Sequence, residues 1–135
     1  VTGEHYHLAE TVNVPPPVRE AIPVMIGGSG EKKTLRLVAE YANACNLFGE
    51  GPEVVRRKLD VLRAHCDDVG RDYAAIRKTV LVQTDPVADP DGFLGEMETL
   101  AGLGVEMAVT MPPTDDPEAW TGAVLEQVLP RLREL

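Results

Sequence analysis

A chain of 135 residues, 44% apolar and 26% charged with a net charge of −9, has the size and composition of one globular domain with a real core. That acidity, with no clustered basic stretch, argues against nucleic acid and anionic membrane surfaces as partners. No apolar run approaches the roughly 20 residues that span a bilayer and no signal-peptide pattern opens the chain, so a cytoplasmic, reducing setting is expected.

The chain begins at Val1 in mid-pattern, as a fragment of something longer would. Residues 1–22 read as an extended lead-in: Glu4-His5-Tyr6-His7-Leu8, then a connector through Pro15-Pro16-Pro17, which can enter neither a helix nor a central strand. Alternation puts His5 and His7 on one strand face. With no third or fourth ligand nearby, a solvated edge strand is the better reading than a metal site.

The first regular unit is a strand near 23–27, a glycine turn Gly27-Gly28-Ser29-Gly30, and a helix from about 31 to 42. Leu35, Val38, Ala39 and Ala42 fall at helical spacing, with Leu37 and Tyr41 widening the apolar face. A strand, glycine turn and helix start can form an anion-binding nest of backbone N–H groups, and it can equally be a plain βα connection. Ser29 could cap the helix or donate its hydroxyl to a phosphate.

A second strand is expected near 44–48, where Asn46 must find partners or face a ligand. Pro52 then opens the clearest amphipathic helix, with Val55, Leu59, Leu62, Cys66 and Val69 on its stripe and Gly70 as its stop. Arg56, Arg57, Lys58 and Arg63 read as its solvated face and His65, beside the apolar stripe, as structural or exposed. Cys45 and Cys66 read as free, buried thiols without metal-ligand spacing.

The third strand, near 79–84, is β-branched and apolar enough for burial on both faces. The helix opened by Asp91-Gly92 places Phe93, Met97, Leu100 and Ala101 on one side. A fourth strand near 105–110 precedes Met111-Pro112-Pro113, and a last helix carries Trp120, Val124, Val128 and Leu132 on one face. Four βα units in succession predict a parallel α/β sheet with right-handed crossovers. Either a small doubly wound sheet or half of a (βα)8 barrel fits, and in both a ligand binds at the C-terminal strand ends.

The run Pro23-Val24-Met25-Ile26-Gly27-Gly28-Ser29-Gly30-Glu31-Lys32-Lys33-Thr34-Leu35, continued by Tyr41-Ala42-Asn43-Ala44-Cys45-Asn46-Leu47-Phe48-Gly49, closely resembles the bacterial luciferase-like flavin oxidoreductases. The closest likeness is to their coenzyme F420-dependent branch. The specific motifs lie within residues 3–49, whereas 79–135 match mainly in layout.

The resemblance implies the C-terminal half of a (βα)8 TIM barrel. It also implies a cofactor phosphate at Gly27, Gly28, Ser29 and Gly30, with Lys33 able to offset its charge and Glu31 opposing it unless turned away. Asn46 and Phe48 match the strand end near the flavin-type ring, and no residue of the chain is assigned a catalytic role. The implied cofactor is F420, with flavin mononucleotide (FMN) and a monooxygenase reaction as the alternative, acting on a small-molecule substrate. The isolated chain is expected to be nearly inactive and to pair with a missing N-terminal half-barrel or with itself as a homodimer. A non-catalytic α/β binding module, complete in itself, is the alternative from a different class.

Overall fold

The computed structural model describes residues 2–12 and 14–135. Its strands are β1 (Met25–Gly27), β2 (Ala44–Phe48), β3 (Arg77–Leu81) and β4 (Met107–Val109). Between and after them run helices α1 (Thr34–Tyr41), α2 (Pro52–Val69), α3 (Pro90–Gly102) and α4 (Pro117–Ala123). A π turn, Val124–Val128, joins α4 to the short α5 (Leu129–Leu132), and a 3-10 turn, Tyr73–Ala75, leads into β3. The four strands form one sheet in the order β1-β2-β3-β4, every pair parallel. This is the α/β half-barrel layout: each strand is followed by a helix that returns the chain to the same end of the sheet.

The register divides the sheet into two unlike faces. Ile26, Cys45 and Lys78 stand side by side, as do Leu47, Val80 and Ala108. This face meets the helices, and the core is built on it: Cys45, Leu47 and Val80 pack with Leu35, Val38, Val55, Leu59, Leu62, Phe93, Met97, Leu100 and Val128. Each fully buried leucine there contributes about 1.5–3 kcal/mol by leaving water. Among the described residues no helix covers the opposite face. Met25, Phe48 and Met107 on it are 51%, 49% and 41% exposed. The third strand, expected to be buried on both faces, is buried at Lys78 and Val80 toward the helices and at Thr79 on the other face.

Helix ends follow local chemistry. Pro52 occupies the first turn of α2, and Gly70 closes it at φ 67°, a left-handed position suited to glycine. Asp89 Oδ1 accepts the Gly92 N–H at 3.0 Å and caps α3, while Asp116 Oδ1 accepts the Ala119 N–H at 3.0 Å and caps α4.

Several expectations need correction. The third strand starts at Arg77 rather than 79 and its ladder ends at Leu81. Lys78, outside the expected strand, is buried inside the observed one, its ammonium 4.8 Å from the Tyr73 ring centroid and 3.7 Å from Glu106 Oε1. Helix α1 begins at Thr34, not 31, and Leu37 and Tyr41 are exposed on its flank away from the core. On α3, Leu94 is buried and Ala101 is not. The lead-in forms no edge strand among the described residues. It has only an isolated antiparallel bridge between Thr2 and His7, with Thr2 Oγ1 3.0 Å from His7 Nδ1.

Candidate functional site at the C-terminal strand ends

The glycine turn leaves β1 and lies across the end of β2. The Gly28 N–H donates to Asn46 O at 3.0 Å, and Ser29 Oγ accepts the Phe48 N–H at 3.2 Å. Gly28 takes φ +126°, a backbone state that side chains resist. At Gly30 an added Cβ would stand 2.8 Å from Thr34 Oγ1, so a side chain there would have to displace the Thr34 hydroxyl. The Leu35 N–H reaches back to Gly30 O at 3.0 Å and opens the helix on a wide turn.

Ser29 was a candidate helix cap, but it does not cap α1. Lys33 holds the cap position, with no side-chain bond. Because Ser29 Oγ spends a lone pair on Phe48, its own O–H proton stays available to an outside acceptor. Among the described residues, the N–H groups of Ser29, Gly30, Glu31, Lys32 and Lys33 find no acceptor. A run of free donors ahead of a helix N-terminus, with one hydroxyl beside it, suits a phosphate oxygen cluster.

Charge around the turn is arranged by long-range contacts. Glu31 accepts a hydrogen bond from Lys58 Nζ at 2.7 Å and lies 3.2 Å from Arg57 Nε, both on α2. These contacts, the Lys58 hydrogen bond first, hold its carboxyl below the usual carboxylate range. His65 Nε2 donates to Glu31 O at 2.7 Å. The carboxylate is thus engaged by α2, and Lys32 and Lys33 stay exposed with no ion pair among the described residues.

Gly27, Asn46 and Thr79 stand in register on the uncovered face. Thr79 Oγ1 lies 2.8 Å from both Cys45 O and Asn46 Oδ1, so the Asn46 side chain is tied inside the sheet while the residue stays only half-buried. Phe48, next on that face, stands beside Leu81. Of the residues marked out by sequence, Gly27, Gly28, Ser29, Asn46 and Phe48 meet at the junction of β1 and β2. Gly30 and Lys33 lie farther along the turn, toward α1. Cys45 and Cys66 are both free and buried, and desolvation pushes both thiols up.

Sequence reasoning missed the Glu31–Lys58–Arg57 clamp and the bond from Trp120 Nε1 to Asp85 Oδ1 at 2.9 Å. Neither has a local signal, since the partners are 27 and 35 residues apart.

A family model for luciferase-like monooxygenases matches residues 1–92, which takes in the lead-in, the glycine turn and β1 to β3. The chain belongs to that family. Among solved structures, this luciferase-like chain is similar to the coenzyme F420 dependent tetrahydromethanopterin reductase from Methanopyrus kandleri. The TM-score is 0.61 at 14% identity, over 82% of this chain and 51% of that one, so the likeness is one of fold. The chain thus spans about half the length of the reductase it matches. No curated protein sequence matches the chain. Among the described residues no helix of this family member is long and apolar enough to cross a membrane.

Proposed function

We propose that this chain is the phosphate-binding half of a luciferase-like oxidoreductase, and that its cofactor is coenzyme F420. The carrying observation is the turn from Gly28 to Lys33. It is pinned to β2 by two hydrogen bonds, keeps five backbone N–H groups without an acceptor among the described residues, and has its one acidic side chain held by α2. Gly27, Gly28, Ser29 and Gly30 would hold the phosphate, and Lys33 would offset its charge. Asn46 and Phe48, on the uncovered face, would stand toward the ring system. When bound, such a cofactor supplies hydride transfer, and the residues named here bind and orient it. No residue of this chain is assigned a catalytic role.

FMN is the second reading, favoured by the monooxygenase description of the family that matches. Its phosphate would use the same turn. Titrating the protein with F420 and with FMN, followed by absorbance, separates the two, because only the preferred cofactor should saturate at micromolar concentration. Ser29→Ala removes one charge-assisted donor worth about 1.5–3 kcal/mol, so it should weaken binding roughly 10- to 100-fold. Unchanged affinity in Ser29→Ala would remove the turn from the site.

The same reading gives the chain a partner. Among the described residues the outer edges of β1 and β4 carry no strand, and Met25, Phe48, Met107 and Val109 lie open between them. A second four-stranded half, either an N-terminal half-barrel or another copy of this chain, would cover them and close the barrel. A self-sufficient binding module would be expected to cover this apolar face with its own residues. Sedimentation velocity distinguishes the two: association favours the half-barrel, and a compact monomer favours the module.

A further inference from the structure

A second concavity opens at the same end of the sheet as the glycine turn, two strands away. It has a volume of about 320 Å³, and Leu81, Gln83, Asp85, Met111, Pro112 and Pro113 are among the residues that line it. That is the lower end of the size range for a small-molecule pocket. Its walls are mostly apolar, and Met111 is 71% exposed at its rim. The polar exceptions are the Gln83 amide and the Asp85 carboxylate.

Asp85 is unusually well fixed for a loop residue. Its Oδ1 accepts both Trp120 Nε1–H at 2.9 Å and Val87 N–H at 3.0 Å, so two different segments orient one carboxylate. Those bonds, the Trp120 one first, hold the carboxyl below the usual carboxylate range and keep it charged. Yet among the described residues no lysine, arginine or histidine pairs with it. An oriented negative charge that pairs with no cation among the described residues, beside an apolar cleft, attracts an incoming cation and repels an anion.

We infer that this cleft binds a small organic cation, a protonated amine on an apolar frame, with Asp85 as its counter-charge and Leu81, Met111 and the two prolines against the frame. The site is independent of the phosphate turn and needs no cofactor to be tested. Trp120 is the only tryptophan in the chain, so its indole N–H gives a single, unambiguous NMR signal one hydrogen bond from Asp85.

The experiment titrates the ¹⁵N-labelled protein, with no cofactor present, with benzylammonium, benzyl alcohol and benzoate. Benzylammonium should shift the indole signal saturably, benzyl alcohol should bind at least ten-fold more weakly, and benzoate should not bind. Asp85→Asn keeps an oxygen for the indole and removes the charge, so it should weaken benzylammonium at least ten-fold. Gln83→Glu changes an exposed side chain and adds a charge, so it should tighten benzylammonium several-fold, and it does not depend on Asp85→Asn folding. The inference is overturned if benzylammonium gives no saturable shift or if alcohol or benzoate binds as well. It is also overturned if Gln83→Glu leaves the affinity unchanged, or if a folded Asp85→Asn does.

Discussion

Gly49→Ala should be among the most damaging small substitutions in the chain. Gly49 follows the last residue of β2, and its N–H donates to Leu81 O at 2.7 Å. A Cβ built there would lie 2.8 Å from that same oxygen and 3.2 Å from Val82 Cα. Both are backbone atoms, and Val82 is itself bonded to Val109 O at 2.9 Å, so neither can swing aside as a side-chain tip would. Relief requires the ends of β2 and β3 to spread. Overpacking of this kind costs about 1–3 kcal/mol, and the weakened hydrogen bond adds about 1 kcal/mol. The expected loss, about 2–4 kcal/mol, is a large part of a typical folding free energy of about 5–15 kcal/mol. It corresponds to a fall in Tm of roughly 6–15 °C.

Urea unfolding followed by circular dichroism measures this change. Gly95→Ala on α3 is the control: an added Cβ there meets nothing within 4 Å, so helix propensity alone should stabilise by about 0.5–1 kcal/mol. Gly49→Ala within about 0.5 kcal/mol of the parent would refute the close strand-end packing described for β2 and β3.

Other outcomes follow from single contacts. Thr79→Val buries a methyl where a hydroxyl has its one proton for Cys45 O or Asn46 Oδ1, and should cost about 1–3 kcal/mol in the same unfolding assay. The Glu31 carboxyl is held below its unfolded value by Lys58, so its clamp should stabilise the protein fully above the unfolded carboxyl pKa and fade as pH falls through the folded one. Comparing the parent with Glu31→Gln across pH should therefore show a stability gap at neutral pH that closes in acid, and a gap constant with pH would contradict the clamp. Cys45 and Cys66, buried and pushed up by desolvation, should react with a thiol reagent slowly in the native protein and both react at once in denaturant.

The parts of this fold that can be read from sequence are those whose signals are local and periodic. Helix α2 is legible because Val55, Leu59, Leu62 and Cys66 recur on one stripe and Gly70 ends it. The placement of β3 is less so, because Arg77-Lys78-Thr79 does not look like buried strand. Only the fold shows Lys78 covered by Tyr73 and Glu106, and Thr79 bonded to the neighbouring strand. Leu37 and Tyr41 mislead for a related reason. They extend the apolar pattern of α1, and on the side they extend it to they stay 45% and 64% exposed. At the candidate site, glycine spacing announces the turn itself. What the turn is tied to, Phe48 through Ser29 and α2 through Glu31, is decided by pairings across 19 and 27 residues that no window of sequence contains.

The central claim is that the turn from Gly27 to Lys33 recognises a phosphate on a flavin-type cofactor. It is tested most directly by calorimetric titration of the protein with ligands that carry or lack that phosphate: FMN against riboflavin, which differ in nothing else, and F420 against its deazaflavin core, which lacks the phosphodiester together with the tail attached to it. The account predicts that the phosphorylated member of the preferred pair binds at least ten-fold more tightly, and that Ser29→Ala shrinks the difference. Equal affinity for the two members of each pair would contradict it.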